Sequence, residues 1–378
     1  MLRICHIISG DLWAGAEVMC HNLITTLHEN DNLAIDVIVL NKGKLYNQLY
    51  NSGINVHLID ESKLPFFKIL YYIKNNLTKY PPDIIHSHRY KENITAFILK
   101  IICATKCKIV ATQHGMPEVF VKKVKVRKYI LSKLNLIILK KFNKLTVVSN
   151  DIKKQLVNKC NFNKNKIHVI HNGINLPKLK QGRKDSNIFI IGSAGRLFPV
   201  KDYPLMVEIA KEIKNKTDCI KFELAGDGPE HQTLRNLIKK NGLENTFVLK
   251  GHVHDIAKFY QNLDIYLSTS VHEGISMSVL EAMSYGIPVV APDVGGFSEI
   301  IKNGNEGYLI NTRNPKNFAN KCCLLYNNKQ LNKNISKAAR NKIIESFSNK
   351  KMADNYYKMY LTLTQNHNLN KQKTTRLT

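Results

Sequence analysis

"DIYLSTSVHEGISMSVLEAMSYGIPVVAP", residues 264–292, contains a strand, a loop, a helix and a second strand in 29 residues. The run 264–268 is short, apolar and β-branched, which suits a buried strand. A helical pattern follows, and Gly286 stops it. Residues 288–292 are again a continuous apolar run, the mark of a strand covered on both faces. A strand, a crossover helix and a strand without alternation make one unit of a parallel sheet. Two carboxylates lie inside this unit, eight positions apart: Glu273 in the loop and Glu281 in the helix. Ser278 and Glu281 fit the S-x-x-E capping box, which offers Glu281 a purely structural reading. Glu273 has no such reading.

The same alternation runs outward in both directions. Apolar strands are expected at 3–8, 35–40, 54–59, 83–88, 108–113, 145–149 and 167–170. A second series is expected at 188–195, 220–226, 247–251, 264–268 and 288–292. Two such series predict two doubly wound, Rossmann-like α/β domains facing across a cleft. Their predicted extents are 1–172 and 188–349. The stretch 173–187 has Gly, Pro and charge without apolar periodicity and reads as a linker. A final helix at about 350–364 is expected to cross back to the first domain, with a polar tail over 365–378.

The chain has 378 residues, more than one ordinary core accommodates, and its 44% hydrophobic content argues against disorder. Its 56 Lys and Arg against 29 Asp and Glu leave a net charge of +27, which suits an anionic partner. Eight cysteines form no paired C-x-x-C and read as reduced thiols in a cytoplasmic protein. No apolar run reaches the length of a spanning helix. The segment 119–150 carries nine lysines and arginines, no acid and interleaved apolar residues. That pattern suits an anionic membrane surface, although a solvated helix face remains open. No nucleic-acid motif accompanies the charge.

Ligands of open parallel sheets sit just past strand ends. Arg196 and Lys201 lie there, ahead of a helix start, and would suit a pyrophosphate. Gly15 sits near the start of the first helix, where a phosphate or sugar could approach the backbone. His114 follows another strand and could serve a sugar hydroxyl or a proton. His86 and His88 share one strand face, but no carboxylate or cysteine near them in sequence completes a metal set.

Taken together, "GRLFPVKD", "LAGDGPE", "LKGHV", "STSVHEGISMSVLEAMSYGIPVVAPDVGG" and "IHVIHNGIN" resemble the retaining glycosyltransferases of family 4, which have the GT-B fold. "AGAE", "DIIHSHRY" and "TQHG" extend the resemblance into the first half. The resemblance implies that Glu273 contacts donor-sugar hydroxyls and Glu281 the ribose of a nucleotide sugar. It implies that Arg196, Lys201 and the backbone at Met277, Ser278 and Val279 bind the phosphates, and that Val253 lies beside the base. His114 and the Gly15 loop would complete the donor site from the first domain. The implied reaction moves a hexose or N-acetylhexosamine, UDP-linked, to a lipid-linked or growing cell-surface saccharide, with no cofactor and no metal. The implied location is cytoplasmic, peripheral at the inner face of the membrane. Two departures stand out: Ala14-Gly15 where the family often has two glycines, and Ser276 where many members have Gly or Pro. A nucleotide-sugar epimerase of the same fold, or a non-catalytic basic binder, remains the alternative.

Overall fold

The computed structural model describes residues 1–103, 107–115, 126–178 and 188–375. The chain divides into two compact units, Met1–Gly173 with Asn349–Thr378, and Ile174–Ser348.

The first unit is built on seven strands: β1 (Leu2–Ile8), β2 (Leu33–Val39), β3 (Asn55–Leu58), β4 (Ile84–Ser87), β5 (Lys108–Gln113), β6 (Lys144–Val147) and β7 (Ile167–Val169). Their order across the sheet is β3-β2-β1-β4-β5-β6-β7, and each neighbouring pair is parallel. Helices α1 (Gly15–His28), α2 (Lys44–Asn51), α3 (Phe66–Lys79), α4 (Tyr90–Ile102), α5 (Val126–Leu139) and α6 (Asn150–Cys160) follow β1 to β6 in turn. Right-handed crossovers put α1 and α2 on one face and α3, α4, α5 and α6 on the other. Covered on both sides, β1, β2 and β4 bury most of their residues, which is why they read as continuous apolar runs, whereas the edge strand β3 buries none fully.

The second unit has six parallel strands: β8 (Phe189–Ala194), β9 (Ile220–Ala225), β10 (Phe247–Gly251), β11 (Ile265–Leu267), β12 (Val289–Pro292) and β13 (Gly307–Ile310). Their order is β10-β9-β8-β11-β12-β13, the arrangement of a dinucleotide-binding sheet. The helices are α7 (Tyr203–Lys214), α8 (His231–Lys240), α9 (Ile256–Gln261), α10 (Met277–Ser284), α11 (Phe297–Ile300), α12 (Pro315–Asn327) and α13 (Lys329–Ser346). The core gathers Phe222, Leu224, Leu267, Val290 and Phe318 between sheet and helices.

Three expectations are revised. Strand β13 escaped the sequence reading: four residues with a glycine at the start give too short a pattern. The expected linker 173–187 is anchored at its start. Ile174 donates its N–H to the carbonyl of Phe347 at 3.0 Å, and the carbonyl of Pro177 accepts from Arg340 at 3.1 Å. Residues 179–187 of it lie outside the described residues. The final helix, α14 (Asn349–Thr375), continues through most of the expected tail. It packs on α1 within the first unit and inserts Tyr356 and Tyr360, both wholly buried. The hydroxyl of Tyr360 lies 2.6 Å from Nδ1 of His86, and that of Tyr356 lies 2.9 Å from Thr112.

Candidate functional site

In the second unit the strand order reverses between β8 and β11, and the loops after these two strands flank that point. The β8 loop carries Arg196, then a 3-10 turn over Pro199–Lys201, then Asp202 ahead of α7. The β11 loop carries Glu273. Nζ of Lys201 donates to Oε1 of Glu273 at 2.5 Å, and Ser270 Oγ donates to the same oxygen at 3.0 Å. Glu273 therefore does have a structural partner, contrary to the reading from sequence. Burial pulls the Lys201 ammonium pKa down, but the Glu273 carboxylate, together with Tyr266, outweighs it and the pKa is raised. Backbone contacts stitch the two loops: Val271 N–H bonds the carbonyl of Val200 at 2.8 Å, and Thr269 Oγ1 donates to that of Lys201 at 2.9 Å. Arg196 is exposed, its guanidinium 4.9 Å from the ring of Phe198, and among the described residues it makes no ion pair.

Asp202 stands at the N-cap of α7 but does not cap it. Its backbone is left-handed (φ 48°), and its carboxylate pairs with Arg313 from the loop after β13. Arg313 also donates to the carbonyls of Thr269 at 2.7 Å and Ser270 at 3.1 Å. One guanidinium thus holds both loops, and no sequence motif drew attention to it. Two glycines support the same loops from below. A Cβ on Gly295 (φ +57°) would meet the Glu273 carbonyl oxygen at 2.0 Å, and one on Gly226 (φ +136°) would meet that of Gly195 at 1.9 Å. Both positions demand glycine twice over, by conformation and by space. The signal was in "LAGDGPE" and "DVGG", but only the fold shows which backbone each glycine admits.

Helix α10 starts at Met277, and its N-cap is Ser276. Ser278 is therefore inside the first turn, and the capping-box reading of Glu281 is overturned. Glu281 instead accepts from the Tyr260 hydroxyl at 2.7 Å. Burial raises its pKa, and the Tyr260 hydrogen bond opposes that rise. The first-turn N–H groups at Met277, Ser278 and Val279 have no intrahelical acceptors, and the helix dipole adds positive potential there. Val253 is half-buried in the loop between β10 and α9. Lys201, Glu273, the α10 start and Glu281 thus belong to two consecutive segments of one sheet edge.

The first unit handles its equivalent point differently. Gly15 opens α1, and the preceding Ala14 N–H donates to Oε2 of Glu17 at 3.2 Å. His114 follows β5, its ring stacked on His88 at 5.7 Å, and neither ring nitrogen has a hydrogen-bond partner among the described residues. Burial, then the Arg89 charge, lowers its pKa to about 3, so the imidazole is neutral near pH 7. His6, His86 and His88 lie behind it, all buried. Two sets have ligand atoms within 4.8 Å of one another: His6, His86 and His88, and Cys20, His88 and His114. In the first, His86 already bonds Tyr360 and Thr112 through its two ring nitrogens. Cys20 is the neighbour that the sequence around His86 and His88 could not reveal. None of the eight cysteines is in a disulfide, and Cys219 is exposed.

Comparison with known proteins gives these features a family. Residues 13–178 match the family described as Glycosyltransferase Family 4, and residues 177–342 match Glycosyl transferases group 1. An Escherichia coli UDP-Gal:alpha-D-GlcNAc-diphosphoundecaprenol alpha-1,3-galactosyltransferase is 27% identical over 97% of this chain and 98% of its own length. A Staphylococcus aureus poly(ribitol-phosphate) alpha-N-acetylglucosaminyltransferase is 30% identical over 62% of this chain and 46% of its own. Among solved structures, Anabaena HepE in complex with UDP-glucose superimposes with a TM-score of 0.82 at 18% identity, covering 96% of this chain and 100% of that one. The chain belongs to glycosyltransferase family 4, with the GT-B pair of Rossmann-like units, and is a glycosyltransferase.

Proposed function

We propose that this family 4 enzyme transfers a hexose or N-acetylhexosamine from a UDP-sugar to a lipid-linked or cell-surface saccharide, with retention at the anomeric carbon and without a metal ion. The observation that carries the reading is the Lys201–Glu273 pair at the point where the second sheet reverses. A leaving diphosphate needs positive potential as the glycosidic bond breaks, and a sugar needs an acceptor for its hydroxyls. Lys201, Arg196 and the first turn of α10 supply the first, and Glu273 supplies the second. Glu281, held by Tyr260, takes the ribose, and Val253 flanks the base. The acceptor hydroxyl attacks on the face the diphosphate leaves, and its proton goes to a departing phosphate oxygen. No D-x-D appears in the sequence to carry a metal. The Escherichia coli relative, matched over nearly the full length of both chains, supports a UDP-linked donor and a lipid-diphosphate acceptor.

The first unit takes the acceptor and rests at the inner face of the cytoplasmic membrane. In α5, Ile130, Leu134 and Ile137 are exposed at helical spacing beside Lys133, Lys140 and Lys141. Residues 119–125 of the basic segment lie outside the described residues. On α3, Phe67 and Tyr71 are exposed beside Lys68 and Lys74. Exposed apolar residues among lysines fit an anionic lipid surface. Among the described residues, no helix is long and apolar enough to cross a membrane.

The test is transfer to a membrane lipid extract, followed by UDP release, with Glu273→Ala and Arg196→Ala beside the parent. Each is expected to lose about a hundredfold or more in transfer rate. Near-normal transfer by both overturns the site assignment, and sugar isomerisation without acceptor would reassign the chemistry to an epimerase. Transfer that collapses in EDTA overturns metal independence, and an inverted anomer in the product overturns retention.

A further inference from the structure

The loop between β1 and α1 displays the only tryptophan of the chain, and its anchoring is unusually complete. At its start, the N–H and Oγ of Ser9 donate to Oε1 of the wholly buried Glu92 at 2.7 and 2.6 Å. In its middle, Asp11 pairs with Nη1 of Arg89 at 2.9 Å. At its end, the buried Glu17 accepts from the Ala14 N–H and from Arg89. Two buried carboxylates and an arginine are thus committed to one short loop. Its apex nevertheless presents Leu12 and Trp13 to solvent, 47% and 36% exposed.

The indole is met edge-on by the His21 ring at 5.9 Å and keeps about a third of its surface open, so a loop held this firmly still offers apolar surface, as a preformed binding platform does. The surroundings give the chemistry. Nζ of Lys44, at the start of α2, lies 5.0 Å from the indole centroid. Lys44 is exposed and makes no ion pair with a carboxylate among the described residues. The loop leaves β1, where the strand order of the first sheet reverses, the usual ligand position in such sheets. An indole that carries over its ring an ammonium with no carboxylate partner among the described residues matches a sugar ring joined to a phosphate. The C–H face of the ring packs on the indole, and Lys44 acts as a point charge for phosphate oxygens.

We propose that Trp13 and Lys44 form the acceptor subsite, with the indole under the acceptor's terminal sugar and the Lys44 ammonium on the diphosphate that links it to lipid. The proposal rests on the acceptor class inferred above and adds to it the residues that read the acceptor.

Because Trp13 is the only tryptophan, emission from the full-length protein reports on this loop alone. The probe is N-acetylglucosaminyl diphosphate carrying a short alkyl chain. Its titration should change the emission saturably, and Lys44→Ala should weaken that titration by about fivefold to tenfold. In the transfer assay, Trp13→Ala should raise the acceptor KM by about tenfold with little change in donor KM, and Trp13→Phe should recover much of the loss. That recovery separates stacking from a damaged loop. Unchanged emission at saturating probe, or a wild-type acceptor KM in Trp13→Ala, overturns the proposal. An equal emission change on phosphatidylglycerol vesicles without saccharide also overturns it and assigns Trp13 to the lipid surface. A saturable emission change with no transfer by the parent enzyme would sink the donor and acceptor reading proposed above while leaving the subsite standing.

Discussion

The two sheets reverse their strand order in the same way, and the loops at both reversal points hold ion pairs, Lys201 with Glu273 in one and Arg89 with Asp11 and Glu17 in the other, yet the first unit also buries a group of histidines behind its loops. In the second unit the point holds a charged pair, Lys201 and Glu273, 22% and 17% exposed. In the first unit His6 and His86 lie within β1 and β4, and His88 directly follows β4. His6, His86 and His88 are wholly or almost wholly buried, and burial above all lowers each pKa, that of His6 to about 3. The difference follows from where each group sits. A strand interior tolerates an imidazole only as the neutral form, joined to neighbours such as the His6–His88 contact of 3.1 Å. A loop past the strand end keeps enough water and enough backbone donors to sustain an ion pair. Ion pairs are held in the loops, and neutral polar contacts in and beside the sheet.

The comparison can be broken from either side. The largest effect is expected at Gly295, where a methyl group must displace the Glu273 backbone. Gly295→Ala should lower transfer by about a hundredfold, since a misplacement of about 1 Å is enough for that. A rate within threefold of the parent would show that the loop gives way.

Next comes the acid stability of the first unit. A histidine kept neutral by a lowered native pKa costs nothing above its unfolded pKa and costs stability below it, because the unfolded chain then binds more protons. For His6, about 2 kcal/mol should be lost between pH of about 6.5 and about 5. Urea melts across that range should show it, and replacing His6 by Gln should flatten the slope. Stability that does not change with pH there would mean these rings are charged in the native state.

A smaller loss, about tenfold in transfer, is expected for Arg313→Ala, because one guanidinium holds Asp202 and two carbonyls. Arg313→Lys should recover little, since a single ammonium cannot serve three acceptors in that geometry. Full activity in the lysine variant would reduce Arg313 to a simple counter-charge. The mildest change is expected for Tyr260→Phe. Loss of the hydroxyl removes the hydrogen bond that opposes the burial-raised pKa of Glu281, so that pKa rises further. UDP affinity measured against pH should then fall away at a higher pH than in the parent. An unmoved profile would show that Glu281 does not titrate in binding.

Much of this was legible beforehand. The strands 3–8 and 264–268 declared themselves because a doubly covered strand has no polar alternation. Glu273, Arg196 and Lys201 were singled out because ligands of such sheets collect past strand ends, and the fold does put all three in loops that follow β8 and β11. Other readings failed for identifiable reasons. The S-x-x-E pattern pointed to Ser278, but the helix begins two residues earlier than that cap requires, and a four-residue pattern cannot resolve such a shift. Arg313 carries no local signal, since its three acceptors lie over forty positions away or more.

What the sequence determined by itself was the period and burial of each element, and so two parallel α/β units and the loops that bear charge. Those properties are local, set by side-chain pattern and turn residues within a few positions. Only the tertiary structure decided which groups share a contact: Lys201 with Glu273, Tyr260 with Glu281, Arg313 across two loops, and Tyr360 with His86. Such pairs form when the sheet brings distant strand ends side by side, and the distance between them in sequence carries no trace of it.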